Sequence, residues 1–123
     1  PAVCQGMLAL EGRAGESLPR DLGKLNAPEN LAGARAERAV LGRLGGDCTV
    51  PLAAHFEVVE SEGLAGQGLV SSLDGRSIAR SQVKGSTQSP ERAGETLAVQ
   101  VLQEGGGEIL EQLRREANGG SSP

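Results

Sequence analysis

The sequence predicts an α+β fold: a three-stranded antiparallel sheet with helices packed on one face, in the order helix, strand, strand, strand, helix, helix. Three observations carry this. Apolar residues recur at four-residue spacing up to Leu44, the mark of a helix buried along one stripe. From Leu52 they alternate instead, the mark of a half-buried strand. Asp74-Gly75 then stands between two strand-like runs, the strongest short hairpin signal a sequence offers.

Taken in order, residues 3–10 read as a short apolar strand with no partner in sight. Residues 16–25 read as a short helix that Pro19 limits. With Pro1 in place of an initiator methionine, this stretch looks like the end of one unit rather than its beginning. A second unit starts at Asn26. Asn26-Ala27-Pro28-Glu29 has the form of a capping box, and Pro28 in the first turn has no N–H to waste. Ala36, Val40 and Leu44, joined by Leu41, make the apolar stripe, and Gly45-Gly46 ends the helix.

Leu52, Ala54, Phe56 and Val58 alternate with Ala53, His55 and Glu57. Ser61-Glu62-Gly63 turns the chain into a weaker, Gly-rich strand over 64–72, and residues 76–84 return from the Asp74-Gly75 turn. Ser89-Pro90-Glu91 opens the next helix, with Ser89 capping and Pro90 at the first helical position. Gly94, Leu97, Ala98, Val101 and Leu102 form its stripe. The glycines at 105–107 break it, and Ile109, Leu110 and Leu113 mark a short last helix before a solvated tail over 118–123. Glycine, 19 of 123 residues, is about twice as common as usual, and its clusters read as punctuation between elements.

Composition excludes several function classes. Leu, Ile, Val and Phe make up 28 of 123 residues, enough for a thin core built with alanine. Phe56 is the only aromatic residue, so single-stranded nucleic acid finds no stacking platform. A net charge of -4 and a pI near 5.0 oppose the basic footprint of a nucleic-acid binder. No apolar run approaches the ~20 residues that span a bilayer. The expectation is a soluble intracellular domain, without nucleic-acid or membrane partners.

Cys48 is the residue whose context invites chemistry. It lies in Leu44-Gly45-Gly46-Asp47-Cys48-Thr49-Val50-Pro51, between a helix end and a strand start. Such a loop can present a thiol to a partner. The competing reading is a small buried hydrophobe, the usual fate of a free cysteine, and local context alone favours it. Asp47 beside the sulfur disfavours a thiolate nucleophile. Cys4 reads as inert, and a Cys4–Cys48 disulfide is not expected in a chain with no secretion signal. His55 is the only histidine, with no Cys or His at ligand spacing, so zinc is not expected. Gly63-Leu64-Ala65-Gly66-Gln67-Gly68 has the wrong spacing and context for a phosphate loop. Glu108, Glu111, Arg114, Arg115 and Glu116 read as a solvated helix face. No Ser/His/Asp set or acid–base pair is visible. On composition and spacing, a small non-catalytic binding or regulatory module with a structural cysteine stands open beside any enzymatic reading.

Ala36-Glu37-Arg38-Ala39-Val40-Leu41, followed by Leu44-Gly45-Gly46-Asp47-Cys48-Thr49-Val50-Pro51, resembles the hydroxymethylbilane synthase (porphobilinogen deaminase) family, with its A-E-R-A helix running into L-x-G-G-C-x-V-P. Pro1-Ala2-Val3-Cys4-Gln5-Gly6 is similar to the family's P-A-V-G-Q-G, with Glu11 and Arg13 following. Leu73-Asp74-Gly75 resembles its hairpin turn, and Gly94-Glu95-Thr96-Leu97-Ala98 its next helix. Two departures stand out: Asp47 intervenes between Gly45-Gly46 and the cysteine, and Cys4 replaces a glycine, which stiffens a hinge.

The resemblance implies a three-domain transferase of haem and tetrapyrrole synthesis, a monomer when complete. It polymerises four porphobilinogen units into hydroxymethylbilane with release of ammonia. It implies a dipyrromethane cofactor bound covalently through Cys48, which would hold the growing pyrrole chain as a tether. It places the catalytic aspartate and the carboxylate-binding arginines in two domains ahead of residue 1, leaving no catalytic residue in this chain. On that basis 1–25 is a hinge and trailing segment of an upstream domain, 26–117 the cofactor-attachment domain, and 118–123 a disordered tail. The 123 residues alone are then expected to be inactive.

Overall fold

A computed structural model describes Cys4, residues 13–15, 28–45 and 51–119. Three antiparallel strands pair in the order β1 (Leu52–Val59), β2 (Gly63–Ser71) and β3 (Ile78–Gly85). Helix α1 (Pro28–Leu44) precedes the sheet, and α2 (Pro90–Val101) and α3 (Gly107–Gly119) follow it. The expected α+β architecture and element order are those observed.

The helices cover one sheet face: α1 packs on β1, and α2 on β2 and β3. The stripe Ala36, Val40 and Leu44 of α1 is buried, as are Leu97, Ala98 and Val101 of α2. Between them and the sheet lie Ala54 and Phe56 of β1, Leu64 and Val70 of β2, and Ala79 and Val83 of β3. Each Leu, Val or Phe buried here contributes roughly 1.5–3 kcal/mol. The alternation seen in the sequence is therefore the sheet's inner and outer faces.

Two sequence readings need correction. Gly66 and Gly68 do not punctuate; they lie inside β2. A Cβ on Gly66 would collide with the Phe56 ring, and one on Gly68 would stand 3.2 Å from Cδ2 of Leu97. Bare backbone in the middle strand makes room for the only aromatic side chain and for α2. Ser89 occupies the N-cap of α2, but its side chain makes no cap hydrogen bond. Pro90 at the first position and the helical bond from the Ala93 N–H to the Ser89 carbonyl (3.3 Å) start the helix instead.

The helix break over 105–107 narrows to one residue. A π-turn over Leu102–Gly106 carries α2 into α3, and only Gly105, with φ of 109°, leaves helical geometry. A widened turn of this kind redirects a helix without ending it. Helix α3 continues through Asn118 to Gly119.

Candidate functional site

One end of the domain holds the two described residues that flank the Cys48 segment in the sequence, Gly45 and Pro51. Cys48 itself, with Gly46, Asp47, Thr49 and Val50, lies outside the described residues. The described residues on either side are firmly held. Leu44, the last residue of α1, is 2% exposed, and Gly45 follows in the left-handed region with φ of 68°. That conformation closes a helix and is the reason for glycine there. A Cβ on Gly45 would lie 3.7 Å from a terminal guanidinium nitrogen of Arg114, so α3 leans over this helix end. On the far side, the Pro51 carbonyl accepts a 3.0 Å hydrogen bond from the Ser71 N–H, which locks the start of β1 to β2. Cys48 stands third of five residues between these two posts.

The β2–β3 hairpin rises from the same end, because Leu52 pairs with Val70 and Ser71 with Ile78. Its tip is tied by the side chain that the sequence marked. Asp74 Oδ1 accepts from the Ser72 hydroxyl (2.6 Å) and from the Arg76 N–H (3.0 Å), while the Ser77 N–H donates to Ser72 Oγ at 3.1 Å. The Ser72 hydroxyl first, and the Arg76 N–H second, hold the Asp74 carboxyl below its ordinary range. Gly75 takes φ of 73°.

The other sulfur sits apart, on α1. The Cys4 N–H donates to Glu37 Oε1 at 3.0 Å, and Cys4 Sγ lies 3.9 Å from the Ala34 carbonyl. Cys4 occupies a turn with φ of 59°, not the extended strand expected at that residue. Burial, and then the Glu37 charge, push its thiol above the ordinary range, against a smaller opposite pull from Arg38. It is a free cysteine. Glu37 is the residue the sequence reading passed over. It is 2% exposed, and the signal was available: Glu37, Val40, Leu41 and Leu44 fall at i, i+3, i+4 and i+7, which puts a carboxylate inside the apolar stripe.

His55 lies on the outer sheet face, opposite Gln67, which in turn faces Gln82. These three line shallow depressions of about 420 and 360 Å³. No group of three or more His, Cys, Asp or Glu side chains among the described residues could hold a metal ion. No helix among them is long and apolar enough to cross a membrane. The mixed charges of α3 are exposed as expected, with Arg115 and Glu111 paired at 2.6 Å.

Comparison with known proteins supplies the context for this end of the domain. The family described as "Porphobilinogen deaminase, C-terminal domain" matches residues 31–103, from the first turns of α1 into the π-turn. A porphobilinogen deaminase of Moorella thermoacetica is 45% identical over 118 residues, covering 95% of this chain and 37% of that protein. One from Carboxydothermus hydrogenoformans is 40% identical over 121 residues (96% and 38%). One from Thermus thermophilus is 41% identical over 115 residues (93% and 38%). The chain thus spans less than two fifths of the length of these relatives.

Proposed function

The chain belongs to the porphobilinogen deaminase C-terminal domain family, and from that premise we propose that it carries a covalent dipyrromethane cofactor through a thioether at Cys48. It does so as the C-terminal part of an enzyme that joins four porphobilinogen units into hydroxymethylbilane and releases ammonia at each addition. What supports this reading is the position of Cys48 in the sequence, third of the five residues between Gly45 at the end of α1 and Pro51 at the start of β1, inside the segment matched by the family.

The residues present fit such a group. Attachment asks for one sulfur between fixed chain ends, and asks nothing further of this domain in acid–base chemistry. When bound, the dipyrromethane supplies the pyrrole carbon from which the chain is extended. The role of this chain's own residues is to anchor it: α1 fixes one side of the loop through buried Leu44, and the Ser71–Pro51 hydrogen bond fixes the other. The second thiol is a poor competitor. Cys4 is partly buried and its thiol is pushed toward the protonated form, whereas the thiolate is the nucleophile.

On this reading residues 26–117 form the attachment unit and residues 1–25 join it to the domains that act on substrate. The 123 residues alone are expected not to turn over porphobilinogen, because the chain spans less than two fifths of the deaminases it matches. The intact enzyme works in the cytoplasm as a monomer, with porphobilinogen and the growing pyrrole chain as its small-molecule partners.

The test is an intact-mass measurement on full-length protein made in cells, with an aldehyde colour reaction for pyrroles. Wild-type and Cys4→Ser protein carry the added dipyrromethane, and Cys48→Ser protein lacks it. A Cys48→Ser protein that keeps a covalent pyrrole, or a Cys4→Ser protein that loses it, overturns the assignment. A wild-type protein with no added mass leaves Cys48 as the structural cysteine of a non-catalytic module.

A further inference from the structure

Arg114 of α3 carries an exposed guanidinium that reaches away from its own helix. Its neighbour Arg115 pairs with Glu111 one turn back, and Gln112 donates to Glu116 at 3.3 Å. Arg114 has no hydrogen-bond or ion-pair partner among the described residues, whereas Arg35, Lys84 and Arg115 pair with Glu91, Glu62 and Glu111. A terminal nitrogen of Arg114 lies 3.7 Å from where a Cβ on Gly45 would stand, over the end of α1. Cations suit a helix C-terminus, but α1 already has one of its own, Arg43 in the last turn. A second cation carried in from α3 adds like-charge repulsion there, unless an anion joins the two.

The sequence says where such an anion comes from. Cys48 follows Gly45 by three residues, and three residues of chain span at most about 11 Å. A pyrrole on the Cys48 sulfur covers a comparable distance to the end of its longer arm. Each porphobilinogen unit carries one acetate and one propionate group, both ionised at neutral pH, so a pyrrole chain tethered at Cys48 brings carboxylates within reach of Arg114. We propose that Arg114 is a positioning residue, which receives a carboxylate of the tethered pyrrole chain and holds that chain against the end of α1. A guanidinium suits the task, because its planar fork meets a carboxylate through two parallel hydrogen bonds. The thioether leaves several single bonds free to turn, and one two-pronged contact fixes the orientation of the pyrrole that they carry. This rests on the reading that Cys48 holds the dipyrromethane.

The experiment uses full-length protein made in cells that lack porphobilinogen, before and after loading with porphobilinogen. Arginine modification by phenylglyoxal is followed site by site by mass spectrometry. Arg114 is expected to react severalfold more slowly after loading, while Arg115, held by Glu111, reacts at one rate throughout. Exposed charge pairs are individually weak, so the change is severalfold and no larger. Thermal unfolding of the same samples is the second readout. Loading raises the midpoint of wild-type and Arg114→Lys protein by several degrees and that of Arg114→Gln protein by less, with the three unloaded midpoints alike. An Arg114→Gln protein that rises as far as wild type overturns the proposal. So does an Arg114 that reacts at one rate in both states, and a faster rate in Asp47→Asn protein then names Asp47 as its partner. Intact mass keeps the two readings apart. Pyrrole mass on Cys48 with no change at Arg114 removes this proposal alone, whereas no pyrrole mass after loading removes the Cys48 reading and this proposal with it.

Discussion

Phe56 of β1 lies across the bare backbone of Gly66, its cross-strand partner on β2, and its ring fills the space that any side chain at Gly66 would need. Phe56 is 3% exposed and Gly66 is buried, so the pair sits in the middle of the core. With no other aromatic side chain available, the packing of α1 and α2 onto the sheet turns on this one ring.

Gly66→Ala is therefore expected to act through Phe56 rather than through backbone freedom. The added methyl collides with the ring, and overpacking of this kind costs roughly 1–3 kcal/mol. Thermal unfolding checks this: the midpoint falls by roughly 4–8 °C per kcal/mol in a domain of about this size. Combining it with Phe56→Leu recovers part of the loss. Unchanged unfolding in the Gly66→Ala protein would show that the ring has another place to go.

The hairpin tip carries a pH signature. Asp74 has a lowered pKa in the folded chain, so the stabilisation it brings is present above the unfolded carboxyl value near ~3.9 and disappears as pH falls through the folded value. Hydrogen exchange at the Arg76 and Ser77 amides reads this directly. Asp74→Ala speeds exchange at neutral pH, and the difference from wild type closes at the acid end. A difference that persists unchanged through the acid range rules out the carboxylate as the staple.

These two regions also show what the sequence discloses and what it hides. The Asp74-Gly75 turn, the alternation of β1 and the stripe of α1 were all legible, because each is a local pattern with a local physical cause. The uses of Gly66 and Gly94 were not. A Cβ at Gly94 would strike the Ala36 carbonyl, so α2 crosses α1 at backbone contact, and nothing within either helix announces that meeting. The flanking motif drew attention to Cys48, while Glu37 inside the same motif passed as an ordinary helix residue. Its importance depends on Cys4, 33 positions away, folding back onto α1.

Cys4 supplies a stability prediction of its own. A non-glycine residue at φ of 59° carries strain of roughly 1–2 kcal/mol, and glycine removes it at some entropic cost in the unfolded chain. Cys4→Gly is expected to stabilise by a net of up to about 1 kcal/mol, and Cys4→Val, β-branched, to destabilise. Equilibrium unfolding of the two variants against wild type checks the sign. A Cys4→Val protein as stable as the parent would mean that the turn at residue 4 is not held.

The last prediction concerns how the Cys4 thiol titrates. Burial raises its pKa above the ordinary value of 9.0, the Glu37 carboxylate raises it further, and Arg38 opposes both. Alkylation by iodoacetamide proceeds through the thiolate, so Cys4 is expected to react slowly at pH 8 and to accelerate only as pH climbs past the range of an unperturbed thiol. Because the folded pKa is raised, the stability linked to this proton is intact below the unfolded thiol's pKa. It declines as pH rises through the folded value. Glu37→Gln removes the second cause and leaves burial and Arg38, so the rate profile of Cys4 shifts to lower pH. Site-resolved mass spectrometry across a pH series measures both curves. Superimposed profiles for wild type and Glu37→Gln would show that the Glu37 charge does not reach the sulfur.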